Sequence, residues 1–358
     1  MLGQTTKRRL IMKKDWLKVL FILLLASAMC VAGDDSKMGT AGALELLLPV
    51  GARSSALAGA NLASVEGIDA VFWNPAGVAN ISGSGEAMFS HMNYFANIAL
   101  EYGSIGIKSE GIGTFALSVK ALNFGDIQQT TEQAPEGTGV TFSPTFAVFG
   151  LTFARELTDR ISVGFTAKYI TEKIMNTAAN GFGFDVGVKY KFGPATPLNG
   201  LKFAVAVKNL GPQMQYDGTD LDQQVIPPNS PVGAQPEPLR FTTLAFELPS
   251  TIELGLGYDY LITTDNRFSL HAVFQNSNFG SDQYRVGAEY AFNETFFLRG
   301  GYTFSPLEGS STNSTIFGLS AGAGASVDLS GIRAQLDYAF GQTQYFTGIN
   351  TISLVLAF

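Results

Sequence analysis

Few residues in this chain have the types and spacing that chemistry needs. Gly318-Leu319-Ser320-Ala321-Gly322 matches the G-x-S-x-G spacing of a serine nucleophile, which works only where a strand turns sharply into a helix. Such a serine also needs an imidazole to take its proton. The chain has two histidines, His91 and His271, and neither falls next to Ser320 in the strand order inferred below. The glycine-rich run around Ser320 alternates as a strand does, so the expectation is that the protein is not an enzyme. Two separate histidines and scattered carboxylates make no convergent ligand set for zinc or a transition metal. Asp217, Asp220 and Asp222 are close enough to offer oxygens to calcium, but their spacing fits no motif and a solvated acidic loop is expected. Cys30 is the single cysteine, which excludes a disulfide framework and a cysteine metal site. A lipid anchor there would want a small residue before it, and Met29 is not small. Neither a cofactor nor a metal is expected.

The elements that carry these residues follow from composition and patterning. Of 358 residues 46% are hydrophobic and 15% charged, and the 40 glycines and 28 phenylalanines are spread along the chain. Beyond the N-terminus no apolar stretch approaches the roughly 20 residues of a spanning helix. The net charge is −7 with no basic block after the leader, so nucleic acid is not an expected partner. Lys7, Arg8, Arg9, Lys13 and Lys14 precede an apolar run from Val19 to Ala28, then Ala26-Ser27-Ala28 and Val31-Ala32-Gly33 offer small residues for cleavage. Residues 1–33 are therefore expected to be a cleaved signal peptide, with Met12 an alternative start.

From about Gly85 onward, runs of about ten residues alternate strictly between apolar and polar and end in turns, the pattern of a membrane β-barrel. In Ile332-Arg333-Ala334-Gln335-Leu336-Asp337-Tyr338-Ala339-Phe340, the period of two sends Ile332, Leu336, Tyr338 and Phe340 to one face and Arg333, Gln335 and Asp337 to the other. A soluble β-sandwich or propeller would also alternate, but Tyr and Phe recur at the strand ends as interfacial girdles would require. Ile352, Leu354, Leu356 and Phe358 share one face, and the ending on Phe358 resembles the C-terminal assembly signal of outer-membrane barrels. Fourteen strands are expected, near 86–95, 98–107, 114–123, 143–156, 160–172, 182–192, 201–209, 251–261, 267–276, 284–292, 295–304, 315–328, 331–341 and 350–358. The fold class is all-β, a fourteen-stranded antiparallel transmembrane barrel over residues 85–358. Strand two needs a bulge or a shorter span, because Ile98, Leu100 and Tyr102 lie on the opposite face from Ile105 and Ile107. Short turns at 157–160, 263–266, 292–294 and 328–331 are expected on the periplasmic side. Longer loops near 124–142, 173–181, 210–250, 305–314 and 342–349 are expected outside.

Residues 34–84 break this repeat. Gly51-Ala52-Arg53-Ser54-Ser55-Ala56-Leu57-Ala58-Gly59-Ala60 leads to Phe72-Trp73-Asn74-Pro75-Ala76-Gly77, a small-residue segment that could fold into the lumen as a hatch or plug. The pattern Gly-Ala-Arg-x-x-Ala-x-x-Gly-Ala followed by Trp-Asn-Pro-Ala-Gly resembles the PorV/PorQ family, within the FadL-like fourteen-stranded barrels. The residues carrying the match are Gly51, Arg53, Gly59, Trp73, Asn74, Pro75 and Ala76, with Phe358 at the end of the chain.

The resemblance implies an outer-membrane protein set in outer-membrane lipid. PorV-like members imply a component of the type IX secretion system, whose partners would be secretion subunits and exported cargo received through C-terminal signal domains. FadL-like members imply instead uptake of hydrophobic small molecules, with a hatch that rearranges and a lateral opening in the wall. The sequence motif favours the first. The inward positions expected to carry Lys168, Asp185, Lys189, Glu253, Asp259, Arg285, Glu289, Arg299, Arg333 and Asp337 mix both signs and read as cross-links of the barrel interior. They interrupt the apolar surface a greasy ligand would need, unless the hatch covers them.

Overall fold

The computed structural model describes residues 39–358 except 194, 195, 197, 232, 306–314 and 345. The expected leader with Cys30, and the loop expected at 305–314 apart from Ser305, lie outside the described residues. Fourteen long strands form the wall: β1 Gly85–Asn93, β2 Ala99–Ser109, β3 Gly113–Asn123, β4 Thr145–Thr158, β5 Ile161–Ile174, β6 Thr177–Lys191, β7 Leu201–Leu210, β8 Thr251–Leu261, β9 Asn266–Ser277, β10 Gln283–Phe292, β11 Phe296–Phe304, β12 Phe317–Leu329, β13 Ile332–Thr343 and β14 Ile349–Ala357. Each pairs antiparallel with the next, and β1 pairs with β14 from Glu86↔Ala357 to Asn93↔Asn350, which closes the barrel and removes its edges. The seam is finished by Phe358, whose N–H donates to the Gly85 carbonyl at 2.9 Å while its own carbonyl accepts from Ser84 and Gly85 at 2.8 and 3.0 Å.

Alternation sets the two faces. Leu117, Leu151, Leu298 and Leu336 point outward and are exposed, a surface that suits lipid and not water. Tyrosines with asparagine partners mark both rims: Tyr169 and Tyr338 donate to Asn180 and Asn350 at one end, and Tyr290 to Asn266 at the other. Each ring thus keeps an apolar body and a hydrogen-bonded tip, as an interfacial aromatic should. At the short-turn end the hairpins use residues with left-handed backbone, Asn293 and Glu294 (φ 53 and 46) and Ser330 with Gly331 (φ 51 and 94). Such turns match the twist of the strands they join.

Two expectations need correction. The long loop expected at 173–181 is a two-residue turn, Met175-Asn176, because β6 begins at Thr177 and not near 182. The run Thr177-Ala178-Ala179-Asn180-Gly181 has little hydrophobic contrast between faces, so its alternation is faint. Strand two needs no bulge: β2 keeps unbroken register with β1 and β3. Ile105 and Ile107 face outward, whereas Leu100 and Tyr102 are buried inward against an apolar core that the lumen itself contains.

That core belongs to residues 39–84, which thread the lumen. The segment begins at the long-loop end, where Gly42 donates to Glu247 at 3.2 Å beside an Ala41↔Glu247 bridge, and it ends at the short-turn end, where it runs into β1. On the way it forms helices α1 (Ala52–Ala56) and α2 (Ala70–Trp73) and turns at Leu44–Leu47, Gly67–Asp69 and Pro75–Asn80. Val50, Val65, Ile68, Val71, Trp73 and Val78 pack on Met88, Met92, Leu100, Tyr102 and Ile349 of the wall.

Candidate functional site

The motif residues of the hatch are brought together by packing. Gly51 and Gly59 both have left-handed backbone (φ 79 and 70), and a Cβ on Gly51 would meet Asp69 and Met88, one on Gly59 the Trp73 ring and Arg285. Only glycine satisfies both the angle and the space. Arg53 reaches across to Glu289 of β10, with Nε 3.4 Å from Oε2. Trp73 donates from Nε1 to the Val50 carbonyl at 3.0 Å. Asn74 caps the turn that Pro75 opens, its Oδ1 accepting from Ala76 N–H at 3.1 Å, while its Nδ2 donates to the Leu62 carbonyl at 3.2 Å.

The wall is shaped to receive this segment. A Cβ on Gly164 of β5 would overlap the main chain of Pro75 and Ala76, and one on Gly187 of β6 would overlap Asn74. Leu57 lies against Gly287 and Gly301, and Leu62 against Gly255. Inward glycines here are the docking floor of the hatch, a role that sequence alternation alone does not distinguish from ordinary strand glycines.

Beside the hatch and from there toward the short-turn end, the lumen is an ion-pair network. Glu289 is 1% exposed and takes Arg299 at 2.7 Å and Arg267 at 3.2 Å as well as Arg53, while Arg299 also pairs with Asp337 at 2.6 Å. Glu253 is held by Lys208 and Arg285 at 3.3 and 3.2 Å, Asp185 by Lys168 at 2.6 Å, and Asp259 by Lys202 at 2.7 Å. Lys189 meets Glu66 of the hatch at 3.4 Å and donates to the Val65 carbonyl at 2.6 Å. Burial opposes the charge on Glu66, but Lys189, Lys202 and Lys191 outweigh it and hold the carboxyl down at about 2. Every inward charge expected from the sequence faces the lumen and is bonded there, Arg333 at the rim through Ser326 and the Glu294 carbonyl. Lys202, Lys208, Arg267 and Glu66 complete the network. Sequence reasoning passed over them because they sit at strand ends or in the hatch, where alternation is weakest. A chamber of about 290 Å³ remains among Arg53, Asn61, Ser64, Glu66, Lys202, Asp259, Arg267, His271 and Glu289.

Toward the long-loop end the lining turns apolar. Ala43 and Leu46 of the hatch pack with Val148, Ile170, Ala179, Met214 and Leu248, and Tyr216 and Phe246 lie against them. Beneath them a void of about 30 Å³, room for about one water, lies between Leu46, Val71, Phe72, Tyr102, Val148, Lys120 and Lys168. This cluster sits at a discontinuity in the wall. β6 pairs with β7 only as far as Phe184↔Leu210, after a bulge that turns both Lys208 and Asn209 inward. The next ladder contact on that side is Ala178↔Asp217. Among the described residues, 179–183 thus have no strand partner on this edge. The space is filled by the loop: Met214 lies where a Cβ on Gly181 would be, and Leu248 packs near Gly183.

The remaining candidates disperse. Ser320 lies inside β12 with no turn into a helix. His91 faces outward and pairs with Glu101 at 2.7 Å, and His271 lines the lower chamber. Asp217 and Asp222 bind Arg240, and Asp220 binds Asn176. Among the described residues no group of three or more His, Cys, Asp or Glu is gathered as for a metal.

The fold is a closed fourteen-stranded antiparallel barrel with its N-terminal segment inside the lumen. The chain is similar in structure to the CymD monoaromatic hydrocarbon channel, with a TM-score of 0.53 at 14% identity over 87% of this chain and 97% of that one. Further likenesses are to the toluene transporter TodX of Pseudomonas putida, TM-score 0.49 at 12% identity over 82% and 94% of the two chains, and to a FadL homologue of Pseudomonas aeruginosa, 0.47 at 11% over 86% and 98%. At such identities the likeness is one of fold. No protein-family model and no curated protein matches the sequence.

Proposed function

We propose that the protein is an outer-membrane channel for hydrophobic small molecules, closed by its N-terminal hatch in the state described above. The observation that carries this reading is the break between β6 and β7, stoppered by Met214 and Leu248 and continuous with the apolar cluster at the long-loop mouth. An apolar solute gains by leaving water for such a surface, by about 25 cal/mol for each Å² it buries. Below the cluster it would meet the ion-pair network, so its favourable path leads sideways through the break into lipid. The monoaromatic hydrocarbon channel among the fold neighbours fits this reading.

On this reading residues 1–33 are a cleaved leader, 34–84 the hatch and 85–358 the barrel, the long loops face outward, and Phe358 serves as the assembly signal at the seam. The PorV/PorQ resemblance favours secretion instead. Its motif residues, Gly51 to Ala76, are each accounted for by hatch packing, so they support a hatch and not a cargo site. The test is accumulation of a labelled hydrocarbon by a host strain that lacks such channels, with and without this protein. Faster accumulation with the protein is expected. Equal accumulation, together with co-purification of exported proteins bearing a folded C-terminal signal domain, would replace uptake with secretion.

A further inference from the structure

The strap that begins the hatch, residues 41–48, has a single charged side chain, Glu45. It points into the apolar cluster at the long-loop mouth, is 4% exposed, and neither carboxyl oxygen has a hydrogen-bond partner. Beside it lies Glu172 on β5, itself 3% exposed, whose Oε2 accepts the Tyr216 hydroxyl at 2.5 Å. Around the pair are Ala43, Val148, Ile170, Met214 and Leu248. Neither cation that faces it forms an ion pair with Glu45 or Glu172: Lys120 of β3 donates to the Leu48 carbonyl at 2.6 Å, and Lys168 of β5 pairs with Asp185 at 2.6 Å and donates to Asn209 at 2.8 Å. Farther off, Lys208 of β7 is paired with Glu253 of β8.

Two carboxylates in an apolar enclosure cannot both stay ionised without a cation or a proton between them. A calcium ion wants about six to eight oxygens. The pair offers four, one of them taken by Tyr216, so a proton fits the site and a divalent cation does not. Burial first, and then the charge of Glu172, push the Glu45 carboxyl up to about 8, against a weaker pull from Lys120.

We propose that Glu45 and Glu172 share one proton, and that this proton fastens the strap across the mouth as a pH-sensitive latch. The docked strap holds the proton more tightly than a freed strap with an ordinary carboxyl. Docking is therefore strongest below the ordinary value of 4.5 and weakens as pH rises through about 8, in total by up to about a thousandfold. Above that range the Glu45 proton is lost and the strap lifts away from Met214 and Leu248.

The test is a spin label on Leu44→Cys, an exposed strap position, in the full chain carrying Cys30→Ser and held in lipid nanodiscs. The label is expected to be immobile at pH 5 and mobile at pH 9.5. Glu45→Gln should keep it immobile at both, because the amide donates to Glu172 in place of the shared proton. Glu172→Gln gives the same readout if the first variant fails to fold. Equal mobility at the two pH values in the parent, or variants that titrate as the parent does, would overturn the latch. So would release of the label by EDTA at pH 7, which would put a cation where the proton belongs. The readout involves no transported molecule, so failure of the channel reading leaves the latch standing, and the reverse.

Discussion

Gly164→Val sets the hatch against the wall that receives it. The new Cβ would overlap the main chain of Pro75 and Ala76, and that main chain is fixed by the Asn74 cap and by Asn74 meeting Gly187 on the next strand. A side chain in the way could rotate aside, but a capped turn must move as a body. Overpacking costs about 1 to 3 kcal/mol in ordinary cores, and contact with immobile main chain puts this site at the upper end. About 3 kcal/mol shifts the ratio of docked to displaced hatch by roughly 150-fold. The ladder at Gly164, between Ala154 and Gly187, has no need of a glycine for its own hydrogen bonds, so the barrel should still close. Gly103→Val is the control, because a Cβ there meets nothing within 4 Å. Conductance in planar bilayers reads the outcome. The parent and Gly103→Val should stay closed, and Gly164→Val should show open events as the hatch leaves the lumen. Equal conductance of the two valine variants would refute the claim that these glycines dock the hatch.

Glu289→Gln strips the charge that three guanidiniums share, and loss of one member of a buried ion pair costs about 3 to 5 kcal/mol. The temperature at which the folded barrel loses its compact band on an SDS gel should fall. Asn74→Ala removes the cap to Ala76 and the bond to Leu62, a loss of about 1 to 2 kcal/mol confined to the hatch, so proteases should cut residues 60–84 faster while the barrel keeps its heat resistance. Glu66 predicts an acid limit. Its carboxyl is held below its ordinary range, so its contribution is complete above pH 4.5 and fades as pH falls through about 2. Protection from hydrogen exchange over residues 65–69, taken relative to the intrinsic rate at each pH, should therefore be lower at pH 2.5 than at pH 6.

Much of the wall was legible because period-two alternation between lipid and lumen is a strong constraint. Ile332 to Phe340 reads the same in sequence and in space. The signal fades where that contrast disappears. β6 begins among Thr177, Ala178 and Ala179, whose small size suits the stopper of Met214 and Leu248 but gives no hydrophobic period. β2 misled in the opposite sense, since Leu100 and Tyr102 are apolar on the inner face, and only a lumen with its own core makes that reasonable. The motif of the hatch was visible as a string of small residues, but its reason was not. Gly51, Gly59, Asn74 and Pro75 answer to Asp69, Trp73, Gly187 and Gly164, partners that the sequence leaves far away. The break beside β6 was invisible for a related reason, because a missing ladder depends on where the loop over 211–250 returns.

Fastening that break tests the proposed route most directly. Met214 occupies the place of a Cβ on Gly181, so Gly181→Cys with Met214→Cys puts two thiols within reach of each other and ties the loop to β6. Cells carrying this variant should take up a labelled hydrocarbon at the parent rate under reducing conditions and lose that uptake when the disulfide forms. Undiminished uptake with the disulfide formed in full would contradict a path between β6 and β7.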